Sequence, residues 1–139
     1  WQLRESLTEA EGKAGGAIKH DISVPITAID AFLQDAGLIL HSLAPDARLN
    51  VFGHLGDGNL HYNVMNVARE DAARVNAAVH DVVAQHDGSI SAEHGLGQYR
   101  VAEWARLASA PAHELTRRVK HALDPSGIMN PGKVVPAYE

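Results

Sequence analysis

Two histidines flank a short turn near the middle of the chain. His54 and His61 lie on either side of residues 56–59, Gly-Asp-Gly-Asn, a composition typical of tight turns. With the turn centred between Asp57 and Gly58, His54 is predicted to lie directly opposite His61 on one face of a hairpin. Opposed Cβ atoms lie about 4.5–5.5 Å apart, and imidazole nitrogens bind zinc at about 2.0–2.1 Å. The hairpin can therefore supply two ligands to one metal ion.

Glu93 is placed to complete such a site. It ends a predicted strand, Ser89–Glu93, on the same face, and a set of two histidines and one glutamate leaves coordination positions open for catalysis. His94 follows it, and strand alternation directs His94 away unless the strand ends there, as Gly95 and Gly97 favour. An imidazole at that point is suited to act as a general base. The alternative is that these side chains merely pack and hydrogen-bond at a domain interface.

The elements that position these residues follow from hydrophobic periodicity. Apolar residues alternate over 18–24, 48–54, 60–65 and 89–93 as in half-buried strands, and they recur at helical spacing over 27–43 and 71–85. This order predicts an α+β, ferredoxin-like βαββαβ fold, with an antiparallel sheet and both helices on one face. The other face would carry most of the polar and reactive side chains: Lys19, Asp21, Ser23, Asn50, Phe52, His54, His61, Asn63, Ser91 and Glu93.

The two ends of the chain differ from this central part. Residues 1–17 are predicted to be the remnant of a preceding helix and a linker, which ends at Gly15-Gly16. Residues 18–98 form the predicted ferredoxin-like substrate and metal domain. Residues 99–139 are predicted to be a C-terminal helical tail that contains a helix from Pro111 to Leu123.

Composition excludes several classes of protein. The 139 residues carry a formal net charge of −5, which is the wrong sign for a protein that binds the phosphates of nucleic acids. The sequence has no apolar run long enough for a membrane span. Cysteine is absent, which excludes disulfides, thiol catalysis and thiolate metal sites and indicates a cytoplasmic location.

Three longer motifs carry a family resemblance. They are FGHLGDGNLHYN at 52–63, SAEHGLG at 91–97 and LDPSGIMNPGK at 123–133. From Trp1 to about Val135 the chain resembles the C-terminal domain of FAD-linked 2-hydroxy acid dehydrogenases and oxidases. That group includes D-lactate dehydrogenases, the glycolate oxidase flavin subunit and D-2-hydroxyglutarate dehydrogenase.

The resemblance implies roles for the candidate residues. His54, His61 and Glu93 would hold a divalent metal, zinc or else manganese. His94 would act as the base, and Asn130 would lie near the flavin. Four further residues would contact the carboxylate and hydroxyl of the substrate: Arg4, Thr8, Lys19 and Asn63.

The resemblance also implies what the complete enzyme does. It would oxidise a D-2-hydroxy acid of the lactate, glycolate or 2-hydroxyglutarate type to the 2-oxo acid, with FAD as cofactor and an unidentified electron acceptor. FAD would be bound mainly by an N-terminal domain of the same polypeptide that these 139 residues lack. The chain is therefore predicted to be a C-terminal fragment that is inactive by itself.

Two other functions use the same residues. A stand-alone metal-dependent hydrolase would use His54, His61 and Glu93 to activate water. A binding module with a structural metal would need a fourth ligand, for which His94 and Asp57 are the candidates. A flavin-binding domain encoded upstream would favour the oxidoreductase over both.

Overall fold

A computed structural model describes residues 1–135, apart from the side chain of Thr8; the last four residues of the predicted tail lie outside the described part. The chain divides into two compact units, Trp1–His94 and Gly95–Glu139. The first unit contains α1 (Gln2–Lys13), β1 (Ile18–Ser23), α2 (Ile29–Leu43), β2 (Arg48–His54), β3 (Asn59–Met65) and α3 (Ala72–Gln85). The second contains α4 (Val101–Leu107) and α5 (Ala110–Leu123).

The three strands form an antiparallel sheet in the order β1-β3-β2. Helices α2 and α3 cover one face of it, where Ile22, Phe32, Tyr62 and Val75 are fully buried. Phe32 of α2 packs edge-on against Tyr62, with the ring centroids 5.4 Å apart, and burial raises the pKa of Tyr62 to about 12. The predicted α+β class, with helices on one face of an antiparallel sheet, is confirmed.

The predicted fourth strand, Ser89–Glu93, does not form. Its segment runs beside β1, and a single antiparallel bridge joins Ser89 to Ser23. Beyond Ala92, whose N–H donates to the backbone oxygen of Asp21, the next two N–H groups donate to the Asp21 carboxylate. A side chain therefore replaces the main-chain ladder that a fourth strand would need.

The hairpin of β2 and β3 has a different register from the predicted one. His54 lies opposite Asn59, and His61 lies opposite Phe52. The reason is the loop: Leu55–Asp57 forms a turn of 3-10 helix, so four residues connect the strands instead of two. A shift of two residues keeps every side chain on its face. His54 and His61 are thus diagonal neighbours on the same face.

Gly58 closes this loop and is expected to be essential for stability. It has a φ of 73°, and a Cβ added there would lie 2.1 Å from the backbone oxygen of Val24. We expect Gly58→Ala to lower the free energy of unfolding by about 3 kcal/mol or more, measured by urea unfolding. Gly56→Ala is the matched control, because a Cβ there meets nothing within 4 Å. Equal stability of the two variants would contradict this account of the turn.

Helix α1 lies on the sheet face opposite α2 and α3. Its Glu11 is 2 % exposed, and its Oε1 accepts hydrogen bonds from the side-chain amides of Asn50 at 2.6 Å and Asn63 at 2.7 Å. Both helices that were predicted to pack on the sheet lie on its other face, but part of this face is covered by the segment that was predicted to be a helix remnant.

The second unit is organised around α5 and the loop that follows it. Trp104 of α4 packs against His113 of α5, with the rings 4.3 Å apart. After α5, the Asp124 carboxylate accepts the N–H groups of Ile128 and Met129. A hydrogen bond from Lys120 lowers the pKa of Asp124 from its usual value. Within residues 1–135, no helix is both long and apolar enough to cross a bilayer.

Candidate active site

Three rows of side chains cross the polar face of the sheet. Starting nearest Glu11, the rows are Lys19–Asn63–Asn50, Asp21–His61–Phe52 and Ser23–Asn59–His54. Successive rows along a strand lie about 7 Å apart. Every predicted site residue on the strands is therefore within two rows of the others.

His54 and Glu93 meet at one end of this face. His54 Nδ1 lies 3.1 Å from Glu93 Oε1, close to the separation of about 3.3 Å between two atoms bound to one tetrahedral zinc ion. The amide of Asn59, which is 3 % exposed, donates to the same Glu93 oxygen at 2.5 Å. The buried amide thus fixes the direction in which Glu93 points.

His61 stands slightly apart from that pair. Its ring centroid is 6.3 Å from that of His54 and 5.2 Å from that of Phe52. Two imidazoles bound to one ion have centroids about 5 Å apart in tetrahedral geometry. The three predicted ligands thus share one face, but His61 must approach His54 by about 1 Å to complete a tetrahedral site.

His94 lies in a bend and is turned toward the site. The chain forms no strand at this point, in agreement with the prediction made from the glycines that follow His94. Gly95 has a φ of 75°. The His94 ring is 6.4 Å from the ring of His61, and its side chain is 68 % exposed. An accessible imidazole beside the histidine pair is what a general base requires.

Asp21 is a site residue for which the sequence analysis assigned no role. Its Oδ2 accepts the N–H groups of Glu93 and His94, both at 2.9 Å, and lies 3.5 Å from His94 Nδ1. Among the described residues, Asp21, Glu93 and His94 also form the group of potential metal ligands whose atoms all lie within 4.8 Å of one another. The alternation of β1 gave the only signal, because it placed Asp21 on this face.

Three of the four predicted substrate ligands, Arg4, Lys19 and Asn63, are found at the same face, in differing environments. The Arg4 guanidinium stacks over the Phe52 ring at 4.2 Å, which brings its charge beside the middle row. Lys19 Nζ is 3.9 Å from Glu11 Oε2, and its side chain is 58 % exposed. Asn63 is buried, and its amide donates to Glu11. Thr8 lies in α1, and its side chain is outside the described part.

Glu11 was also missed, and its position matters for Lys19 and Asn63. Its buried carboxylate occupies the donors that a substrate carboxylate would use in the first row. Local sequence carried no signal for this, because residues 1–17 show no apolar period. A ligand of Asn63 must compete with Glu11 for the amide.

Asn130 belongs to the second unit. It has a φ of 46° and borders a cavity of about 710 Å³. Most of the cavity wall is apolar and comes from α5 and the loop that follows it, including Val119, Leu123 and Met129.

Comparison with known proteins gives the family. The family model "FAD linked oxidases, C-terminal domain" matches residues 1–134. The chain belongs to this family. The resemblance drawn from the three sequence motifs is thereby confirmed.

Three similar proteins share the name D-2-hydroxyglutarate dehydrogenase. The D-2-hydroxyglutarate dehydrogenase of Xanthomonas citri pv. viticola is 40% identical over 100% of the chain and 31% of its own length. The mitochondrial D-2-hydroxyglutarate dehydrogenase of Arabidopsis thaliana is 40% identical over 98% of the chain and 24% of its length. The Stutzerimonas stutzeri enzyme of that name is 39% identical over 99% and 31%. The chain spans a quarter to a third of these FAD-linked relatives.

Proposed function

We propose that this chain is the substrate-binding, C-terminal part of an FAD-dependent dehydrogenase that oxidises a D-2-hydroxy acid to the 2-oxo acid. D-2-hydroxyglutarate is the first substrate to test, because three relatives at 39–40% identity bear its name. Membership of the family supports a flavin-binding domain in the same polypeptide. Lactate and glycolate are the competing substrates.

One observation carries the proposal: acid-base, metal-ligating and cationic side chains meet on a single sheet face. His94 and His61 have rings 6.4 Å apart, His54 is 3.1 Å from Glu93, and Arg4 lies over the ring of Phe52. A 2-hydroxy acid needs a cation for its carboxylate and a base for its hydroxyl. The face offers both.

We assign a divalent metal to His54, His61 and Glu93. The donor set fits, because two imidazoles and a carboxylate favour zinc or manganese and leave positions open for a substrate. The alternative set, Asp21 with Glu93 and His94, uses a carboxylate oxygen that already accepts two N–H bonds. A cation held by the first set would make a substrate hydroxyl more acidic.

In this scheme each residue has one task. His94 accepts the proton of the substrate hydroxyl as the C–H bond at Cα is broken. Arg4 binds a substrate carboxylate as a planar fork, and Lys19 binds it as a point charge. Asn63 also binds the carboxylate, once its side-chain amide releases Glu11 and donates to the substrate. FAD, when bound, supplies the acceptor for the two electrons and the hydrogen that leave Cα.

Asn130 is proposed to contact the flavin. Its place at the rim of a mainly apolar cavity of about 710 Å³ supports this, because a flavin ring combines an apolar body with a polar edge. The cavity also contains Lys120 and Lys133 in its wall, which suit the anionic parts of a reduced flavin.

The test of the proposed function is anaerobic reduction of the flavin in the full-length polypeptide that carries this chain. We expect one of the three acids D-2-hydroxyglutarate, D-lactate and glycolate to bleach the flavin absorbance, and L-2-hydroxyglutarate to leave it unchanged. A flavin that dithionite bleaches but none of these acids reduces would refute the function.

A further inference from the structure

Asp21 is a buried carboxylate at the centre of the polar face. It is 3 % exposed, lies in the middle of β1, and is paired across the sheet with His61. A carboxylate is costly to bury unless donors surround it. Its donors here are the N–H groups of Glu93 and His94, both 2.9 Å from Oδ2.

These two bonds hold the segment that carries the chemistry. A regular fourth strand would have pointed Glu93 and His94 to opposite faces. Instead, Oδ2 of Asp21 accepts hydrogen bonds from both N–H groups. The backbone oxygen of Asp21 accepts a third, from the N–H of Ala92 at 3.1 Å. Both side chains can therefore reach the polar face from consecutive positions.

The same oxygen also faces the imidazole of His94. Asp21 Oδ2 is 3.5 Å from His94 Nδ1, and a small torsion of the exposed ring brings this to hydrogen-bond distance. A carboxylate acceptor at one ring nitrogen favours the tautomer that carries hydrogen there. The other nitrogen, Nε2, is then left with a free lone pair.

We propose that Asp21 is a positioning residue: it bends the Glu93–His94 segment onto the polar face and fixes His94 as the Nδ1–H tautomer, so that Nε2 accepts the substrate proton. The inference rests on the proposed function, because it gives Asp21 a purpose only where His94 is the base. Asp21 itself touches neither substrate nor cofactor.

The first test reads the tautomer in the unmodified full-length flavoprotein. Nitrogen-15 NMR of histidine-labelled protein distinguishes Nδ1–H from Nε2–H, and the His94 signals are those absent from His94→Gln. We expect Nδ1–H for His94. An Nε2–H tautomer would overturn the proposal without the need for any Asp21 variant.

The second test uses Asp21→Asn and Asp21→Ser in anaerobic stopped-flow reduction of the flavin. We expect the limiting rate of reduction to fall about 10- to 100-fold, with the apparent dissociation constant of the substrate unchanged. Asp21→Ser is expected to lose the Nδ1–H preference of His94 as well. A wild-type rate in both variants, or a slow Asp21→Ser variant that keeps the tautomer, would overturn the role of Asp21.

Asp35→Asn is the matched control. Asp35 forms another aspartate–histidine pair, 2.9 Å from His86 Nε2 and away from the polar face, so its change should leave the rate unaltered. Failure of the proposed function is recognised separately. In that case none of the three acids reduces the flavin of the wild type, whereas the tautomer of His94 still tests Asp21.

Discussion

Replacing His94 by alanine is expected to slow substrate-dependent reduction of the flavin by about 100- to 10,000-fold. The ring of His94 is exposed, lies 6.4 Å from His61 and is backed by the Asp21 carboxylate. The measurement is anaerobic stopped-flow reduction of the full-length flavoprotein by D-2-hydroxyglutarate, or by whichever acid proves to be the substrate.

Two controls separate loss of the base from loss of the site. His41→Ala removes an exposed histidine of α2 that lies on the other side of the molecule's sheet, and it should reduce at the wild-type rate. The metal content of His94→Ala should equal that of the wild type, because the assigned ligand set excludes His94. Wild-type reduction by His94→Ala would remove this residue from the mechanism.

The local elements could be predicted because their signals are local. The alternation that predicted a strand over 48–54 matches β2, Arg48–His54, and the apolar stripe over 71–85 matches α3, Ala72–Gln85. Alternation also predicted correctly which face each histidine of the hairpin occupies. It needed no knowledge of the rest of the chain.

The hairpin register was wrong for a definable reason. Gly56, Asp57 and Gly58 suit either a two-residue turn or the wider loop that forms, and composition does not distinguish them. The choice depends on Gly58, whose carbonyl accepts a hydrogen bond from the N–H of Val24 and whose position leaves no room for a side chain. That contact joins residues far apart in sequence.

The same limit explains the residues that were missed. Asp21 acts on Glu93 and His94 across 72 and 73 positions, and Glu11 acts on Asn50 across 39. The alternation of β1 placed Asp21 on the polar face, but it could not show that the N–H groups of Glu93 and His94 donate to it. For Glu11 the sequence did not indicate even which face of the sheet α1 would cover, because residues 1–17 show no regular apolar spacing.

Removing the histidine pair of the hairpin is expected to abolish metal binding. We expect about one zinc or manganese ion per chain in the wild-type full-length protein, measured by elemental mass spectrometry, and none above background in His54→Ala/His61→Ala. Flavin reduction should be lost with it, because the substrate hydroxyl then lacks its Lewis acid. The control, His41→Ala/His121→Ala, removes two exposed histidines that belong to neither ligand set and should keep the metal.

The two possible ligand sets make opposite predictions for this experiment, because they share only Glu93. With His54, His61 and Glu93 as ligands, His94→Ala keeps its metal and the hairpin variant loses it. With Asp21, Glu93 and His94 as ligands, the outcomes exchange, and His94 can no longer be the free base of the reaction. Glu93→Gln should weaken binding in either case, so it reports whether a metal is bound at this face at all. A wild-type protein without metal would refute both sets and leave activation of the substrate hydroxyl to His94 alone, positioned by Asp21.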